Sequence, residues 1–279
     1  MKNNFTLSND WSKAISIRYD IGSIVKIDDL YFVKKNNILE CQHYFDFNLN
    51  SNILKELENI IKKGNIIKFK YIDDGKCLNK IKSWAKKRKM ILNIIDEWEA
   101  PCLNISDIDK YFENNKTNQI KRNFKKYKST LNNYKYVLSN ISNVLDLWND
   151  VLFIDYNSWK KDNNCDMKSL SREDLQYIFY LMNEPNNSSL NVCYKNNIPY
   201  SYSLLFRANS KSKWYAVKWG ASKEGRIGYT GIFCLFDHLL KISKDKNINI
   251  DFWGRRSRAY DYLKNSEIHR LHIEVKKEV

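Results

Sequence analysis

The chain has 279 residues, 43% of them hydrophobic and 14% aromatic, which is enough apolar material for a buried core and excludes wholesale disorder. Lysine and arginine exceed aspartate and glutamate by 47 − 32 = 15, so the favoured partners are anionic: nucleotides, CoA, tRNA or an acidic membrane face. The six cysteines form no C-x-x-C pair, no apolar run follows Met1 and no stretch of about 18 uncharged apolar residues occurs; the expected setting is reducing and cytoplasmic, with no membrane span.

In chain order, Ser23–Val33 and Ile38–Phe47 read as short strands with turns at Asp28-Asp29 and Lys35–Asn37. Ser51 is placed to cap a helix whose apolar face is Ile53, Leu54, Leu57, Ile60 and Ile61, and Gly64 stops it. A strand at Ile66–Ile72, a helix over Lys76–Arg88 and a strand at Met90–Ile95 complete a β-α-β-α-β alternation, the pattern of an α/β layer. Pro101 is expected to break the strand before it and to mark a boundary, dividing the chain into 1–97 and 98–279.

Beyond the boundary, Ser106 is placed to cap a long basic helix running through Lys116–Lys128. A strand at Tyr134–Leu138, an apolar helix at Val144–Trp159 and a helix from Ser171 to Met182 follow. Leu190–Tyr194, Tyr200–Arg207 and Trp214–Trp219 form a meander with turns at Asn196-Asn197 and Asn209-Ser210. The last strand is Leu271–Val275.

Five of the eight glycines (Gly220, Gly225, Gly228, Gly231, Gly254) fall within 35 residues. They lie between an aromatic strand ending at Trp219, a helix carrying Ile232, Leu235, Phe236 and Leu239, and a strand at Ile248–Trp253. Such clustering in a glycine-poor chain has two readings: an ordinary strand-to-helix loop, or an anion cradle of convergent main-chain N–H groups at a helix N-terminus, with Arg226 as charge partner. The spacing is neither that of the dinucleotide fingerprint nor that of the P-loop.

Several ordered pieces carry a resemblance: Glu99-Ala-Pro-Cys-Leu-Asn-Ile105, Asp109-Lys-Tyr-Phe followed by Lys121-Arg122-Asn-Phe-Lys125-Lys126, Asp155-Tyr-Asn-Ser-Trp159, Tyr229-Thr-Gly231, and Asp251-Phe-Trp-Gly254-Arg255 followed by Tyr260. Together they resemble the acetyltransferase domain of CelD-type and BioF-like proteins, a branch of the GNAT superfamily related to the FemABX proteins. The likeness covers about 98–265, with a looser fit of a degenerate half in 1–97. Cys102 stands where a Tyr is common and Asp261 where a Lys is frequent, and Arg226–Gly231 only approximates the acetyl-CoA motif.

The resemblance implies an α/β, mixed-sheet GNAT fold, duplicated in tandem, and an acyl-CoA-dependent N-acyltransferase acting on the amine of a small molecule, such as an amino sugar or a biosynthetic intermediate. It also leaves open an aminoacyl-tRNA-dependent transferase and a non-catalytic binding protein on the same scaffold; DNA and metal are not expected. It places acetyl-CoA or another acyl-CoA on Lys218, Trp219, Arg226, Gly228, Tyr229, Thr230 and Gly231, between splayed strands Trp214–Gly220 and Ile248–Trp253. A backbone N–H near Lys218–Gly220 would polarise the thioester carbonyl.

Asp251 is the candidate base, or else a strand-end carboxylate paired with Arg255 or Arg256. Tyr260 is the candidate acid for the departing thiolate, or else a core or rim tyrosine. Lys121, Arg122, Trp159 and Arg255 are the candidate acceptor contacts. The basic helix otherwise reads as a solvated face, and its Phe124 and Tyr127 as stacking platforms if it takes nucleic acid. Trp159 otherwise reads as core. His238 reads as structural, and His269 with His272, three apart on a strand, argue against a metal pair.

Overall fold

The computed structural model describes residues 5–18, 23–113, 118–158, 171–207, 213–243, 248–253, 260 and 263–278. The chain divides into two compact units, Met1–Ala100 with Glu267–Val279, and Pro101–Arg207 with Lys211–Ser266. The terminal strand, expected to go with the second unit, therefore returns to the first: five positions between Arg270 and Val275 pair antiparallel with the strand Ile66–Asp73.

In the first unit, strands β1 (Ile24–Ile27), β2 (Leu30–Lys35), β3 (Ile38–Cys41), β4 (Ile66–Asp73) and β11 (Ser266–Lys277) lie in the order β1-β2-β3-β4-β11. All contacts are antiparallel except β3 with β4. Helices α2 (Ser51–Lys62) and α3 (Lys76–Lys87) pack on β4. Their apolar faces, Ile53, Leu57 and Ile61 on one and Leu78, Ile81 and Trp84 on the other, join Phe32, Phe69 and Ile273 in one core. Burial of each such aliphatic side chain contributes about 1.5–3 kcal/mol. The cap of α2 is Asn50, not Ser51: its side chain accepts from Ile53 N at 2.8 Å. Helix α1 (Asn9–Arg18) precedes the sheet.

Strand β5 (Met90–Ile105) runs straight through Pro101. The expected break does not occur, because proline's fixed φ is compatible with a strand and it lacks only the N–H; its carbonyl accepts from Phe252 N at 3.0 Å.

In the second unit the order is β5-β10-β9-β8-β7-β6, with β6 (Lys135–Leu138), β7 (Ser188–Lys195), β8 (Ile198–Arg207), β9 (Lys213–Ala221) and β10 (Ile248–Asp251). Only β9 with β10 is parallel. Asn196 and Asn197 both adopt positive φ in the two-residue β7–β8 turn, as that tight hairpin requires.

One face of this sheet carries α6 (Val144–Tyr156) and α7 (Arg172–Asn183); α7 opens on a capping box in which Ser171 and Asp174 serve each other's backbone. The other face carries α9 (Thr230–Ile242), with α4 (Ile108–Glu113) and α5 (Asn118–Thr130) against it. Asp107, rather than Ser106, caps α4 by accepting from Lys110 N. The short helix α8 (Lys223–Ile227), not foreseen, sits inside the glycine-rich turn. Among the described residues no helix is long and apolar enough to cross a membrane.

Candidate active site

Strand β9 begins as a regular strand: Lys213, Trp214 and Tyr215 pair parallel with Asn249, Ile250 and Asp251. The parallel pairing ends there, while β9 runs on to Ala221. On its other side β9 carries a bulge, since Leu205 opposes Ala216 but Leu204 opposes Lys218, leaving Val217 as the extra residue. A bulge bends a strand and flips the alternation of its side chains. Ala216 packs with the α9-side core, and so does Trp219; Lys218 points to the opposite face. From Ala216 onward the edge of β9 that β10 served has no strand partner among the described residues.

That open edge leads into the glycine-rich corner. Ser222 caps α8, its hydroxyl accepting from Gly225 N at 3.0 Å. A Cβ on Gly225 would lie 2.3 Å from the Tyr200 carbonyl oxygen and 2.7 Å from Thr230 Oγ1, so this glycine is a packing requirement. The chain then turns through Tyr229, left-handed at φ 62°, into α9. The α9 N-terminus has no side-chain cap, and the N–H groups of Thr230, Gly231 and Ile232 find no acceptor among the described residues. Unsatisfied donors at the positive end of a helix, here one of 13 residues, favour negative charge.

Thr230 and Gly231 are buried, while the two large side chains beside them are exposed. Tyr229 is 46% and Ile227 80% exposed. The Thr230 side chain turns inward, donating to Gly225 O at 3.1 Å. Gly231 abuts Ala221 and Trp219, where a Cβ would be in ordinary contact. Arg226 is exposed and makes no ion pair among the described residues. Lys126, from α5, sits 4.6 Å from the centre of the Tyr229 ring, a cation the sequence reading did not bring here.

On the same face as the corner, Tyr260 lies 5.2 Å from Trp219 and stacks on Phe252 at 4.4 Å between ring centres. Burial pushes its phenol well above the ordinary tyrosine range, opposed by a hydrogen bond with Trp219, so Tyr260 holds its proton at every physiological pH.

Through the sheet, a charged cluster adjoins Gly220. Lys218 Nζ lies 3.2 Å from Asp155 Oδ2 and 3.0 Å from Asp174 Oδ1, and Tyr202 donates to Asp155 Oδ1 at 2.8 Å. Both aspartates are fully buried. A Cβ on Gly220 would meet Tyr202 at 2.8 Å and Asp155 at 3.0 Å, so the strand is a glycine where this cluster presses against it.

The expected residues thus divide. Trp219, Arg226, Gly228, Tyr229, Thr230, Gly231 and Tyr260 gather about the corner. Lys218 does not: its ammonium is committed to Asp155 and Asp174 on the far face. Asp251 is fully buried, pairs with Lys213 Nζ at 3.0 Å and accepts from Trp253 N at 2.8 Å, which makes it a lock on the strand end. Its partner among the described residues is Lys213; Arg255 and Arg256, the partners expected from sequence, lie outside the described residues. Trp159 and Arg255 lie outside the described residues.

Lys121 and Arg122 are on the exposed face of α5. Phe124 and Tyr127 are not available for stacking: they are buried against Phe112 and Phe236. His238 is buried between Ser203 and Ser189 hydroxyls at 2.7 and 2.8 Å, its pKa pushed down to about 3 by burial. Asp155 and Asp174 were not singled out for this cluster; the pairing of a helix end, a helix cap and a bulged strand leaves no signal in sequence spacing.

No family model matches the chain, and no curated protein does either. Solved structures do resemble it. L-PGS from Bacillus licheniformis is 10% identical, with a TM-score of 0.64 over 98% of this chain and 92% of that one. FemX is 12% identical, at 0.59 over 96% and 92%. A tandem GNAT protein from the clavulanic acid biosynthesis pathway is 7% identical, at 0.51 over 96% and 87%. At these identities the likeness speaks to fold: the chain has a duplicated GNAT-like, mixed α/β architecture.

Proposed function

We propose that the second unit is an acyltransferase domain that takes an acyl-CoA, acetyl-CoA first among them, and passes the acyl group to the amine of a small molecule such as an amino sugar or a biosynthetic intermediate. The observation that carries this reading is that, among the described residues, three N–H groups at the start of α9 find no acceptor and the parallel pairing of β9 with β10 ends at Tyr215. The bound acyl-CoA would supply an activated thioester.

The N–H groups of Thr230, Gly231 and Ile232, with Arg226, would hold its phosphates. Ile227 and Tyr229 give the exposed apolar lip against which its uncharged arm can lie. The free edge of β9 offers N–H groups to a carbonyl oxygen. Tyr260, protonated and beside Trp219, would serve as the proton donor on this face. Asp251 is proposed as a positioning residue for the strand end, not as the base. Lys121 and Arg122, exposed on α5, remain candidate contacts for an anionic acceptor.

The test is calorimetry with acetyl-CoA and longer acyl-CoAs, together with a free-thiol assay across small amines. Saturable binding weakened by Arg226→Ala, with thiol release dependent on amine, is expected. No binding and no thiol release with any acyl-CoA refutes it.

A second reading is favoured by Lys126 standing over Tyr229 on a helix whose outer face is basic: an aminoacyl-tRNA as donor. A tRNA mobility shift at low salt with transfer from charged tRNA, and no response to acyl-CoA, would select it. If Tyr260→Phe and Asp251→Asn fold and leave the biological output intact, the domain is a binding protein.

A further inference from the structure

The first unit contains a groove of about 590 Å³ between α2 and α3, far in sequence from the glycine-rich corner. Its two walls are alike. On α2, Lys55 and Lys62 flank Asn59; on α3, Lys80 and Lys87 flank Ser83. Residues seven apart on a helix are separated by about 10.5 Å along its axis and share a face. Each wall is therefore cation, neutral hydrogen-bonding group, cation.

The one acid in the lining, Glu58, is already engaged by Lys62 at 2.8 Å and Arg88 at 2.9 Å. Lys55, Lys80 and Lys87 make no ion pair among the described residues. The segment Lys76–Lys89 holds seven basic residues and no acidic one. Trp84 lines the groove too. It is 7% exposed, and its Nε1–H has no acceptor among the described residues. An uncompensated set of cations around a concavity repels itself and focuses a positive field into the space between.

We propose that this groove is a binding site for a linear run of phosphate groups, held by Lys55, Lys80 and Lys87 on its walls. A wall of about 10 Å spans about three phosphates at the axial charge spacing of one strand of a duplex, about 3.4 Å. A concave, two-walled site suits a chain of phosphates better than it suits a flat bilayer. The same chemistry is presented by the backbone of a single nucleic-acid strand and by a short polyphosphate. Four net positive charges line the groove: Lys55, Lys80, Lys87, and one from Lys62 and Arg88 against Glu58.

The experiment is fluorescence anisotropy of the full chain with a labelled 12-nucleotide oligouridylate, as single-stranded RNA and as its DNA counterpart, at 50 and 200 mM salt, with tripolyphosphate as competitor. Four charges at about 0.7 counterion each predict a weakening of about 50-fold across that salt range. Lys80→Ala/Lys87→Ala removes two exposed side chains and should cut the weakening to about 7-fold and lower the affinity at 50 mM. Displacement by tripolyphosphate would assign a short chain as sufficient; binding that only the oligonucleotides show would assign a strand.

A double variant that binds like the wild type overturns the proposal. So does an absence of binding to every phosphate chain, or binding only to anionic-lipid vesicles. The groove is distinct from the glycine-rich corner, so failure here leaves the acyl-transfer reading standing, and thiol release should be unchanged in the double variant.

Discussion

Gly225→Ala is the substitution that most directly probes how the corner is built. The new methyl carbon would start 2.3 Å from the Tyr200 carbonyl oxygen, 2.7 Å from Thr230 Oγ1 and 3.2 Å from Ser222 Oγ. The first of these atoms is backbone of β8 and cannot swing aside. Overpacking of this kind costs about 1–3 kcal/mol. Displacing the turn also loosens the Ser222 cap on Gly225 N and the Thr230 hydroxyl on Gly225 O, each worth roughly 1 kcal/mol. The expected total is about 3–5 kcal/mol, a fall in melting temperature of roughly 6–20 °C for a unit of this size.

Gly228→Ala is the matched control. Its Cβ would meet nothing closer than 3.5 Å and its φ is −79°, so the change should stay within about 0.5 kcal/mol. Gly231→Ala should also keep the fold, with contacts no closer than 3.4 Å, yet reduce acetyl-CoA affinity by narrowing the approach to the α9 donors. The assay is thermal and urea unfolding followed by tryptophan fluorescence, with calorimetric titration of acetyl-CoA. A Gly225→Ala protein as stable as the wild type would refute the packing argument. Equal effects at Gly225 and Gly228 would refute the division of labour among these glycines.

Lys218→Met removes the cation that pairs with two fully buried carboxylates, Asp155 and Asp174, and should cost about 3–5 kcal/mol in urea unfolding; Lys218→Met with Asp174→Asn should recover part of it. Arg226→Ala, at an exposed side chain with no ion pair among the described residues, should leave stability within about 0.5 kcal/mol while weakening acetyl-CoA by roughly tenfold, read by calorimetry.

His238 titrates near 6.5 in the unfolded chain and at about 3 in the fold. Its contribution is complete above pH 6.5 and is lost as pH falls toward 3, because the unfolded chain takes up the proton first. Between pH 7 and 5 it should remove about 2 kcal/mol, and His238→Gln should flatten that part of the stability profile. A profile identical in the variant would show that His238 is not its source.

Much of the local structure was legible. Helices α2, α3, α7 and α9 followed from apolar spacing and from their start signals, the start of α7 at Ser171 among them, because these features depend on residues within a turn or two of each other. The β7–β8 turn followed from Asn196-Asn197. Other expectations failed where a distant contact decided. Pro101 stays in a strand because neighbours on both sides hold the chain extended. Phe124 and Tyr127, set among lysines, turn inward because α5 packs its one apolar stripe on α9. The last strand goes to the first unit because its register partner is β4, a strand some 200 residues earlier in the chain.

At the candidate site the glycine cluster and Tyr229-Thr230-Gly231 marked the corner, and Trp219 and Tyr260 proved to be neighbours. Lys218 and Asp251 are charged side chains whose partners come from other elements, which sequence spacing does not reveal. The bulge at Val217 is the decisive feature. A strict alternation would place Lys218 on the same face as Trp214 and Ala216; the extra residue sends it through the sheet to Asp155 and Asp174.

From sequence alone came most of the longer helices, the hairpin, the basic balance and the place where glycines collect. Those depend on short-range periodicity, on charge counts and on where glycine is spent. Tertiary structure decided which donors stay unsatisfied, which charges neutralise one another and which cations stand unopposed, because each of these is a property of groups brought within a few ångströms by strand register and helix packing.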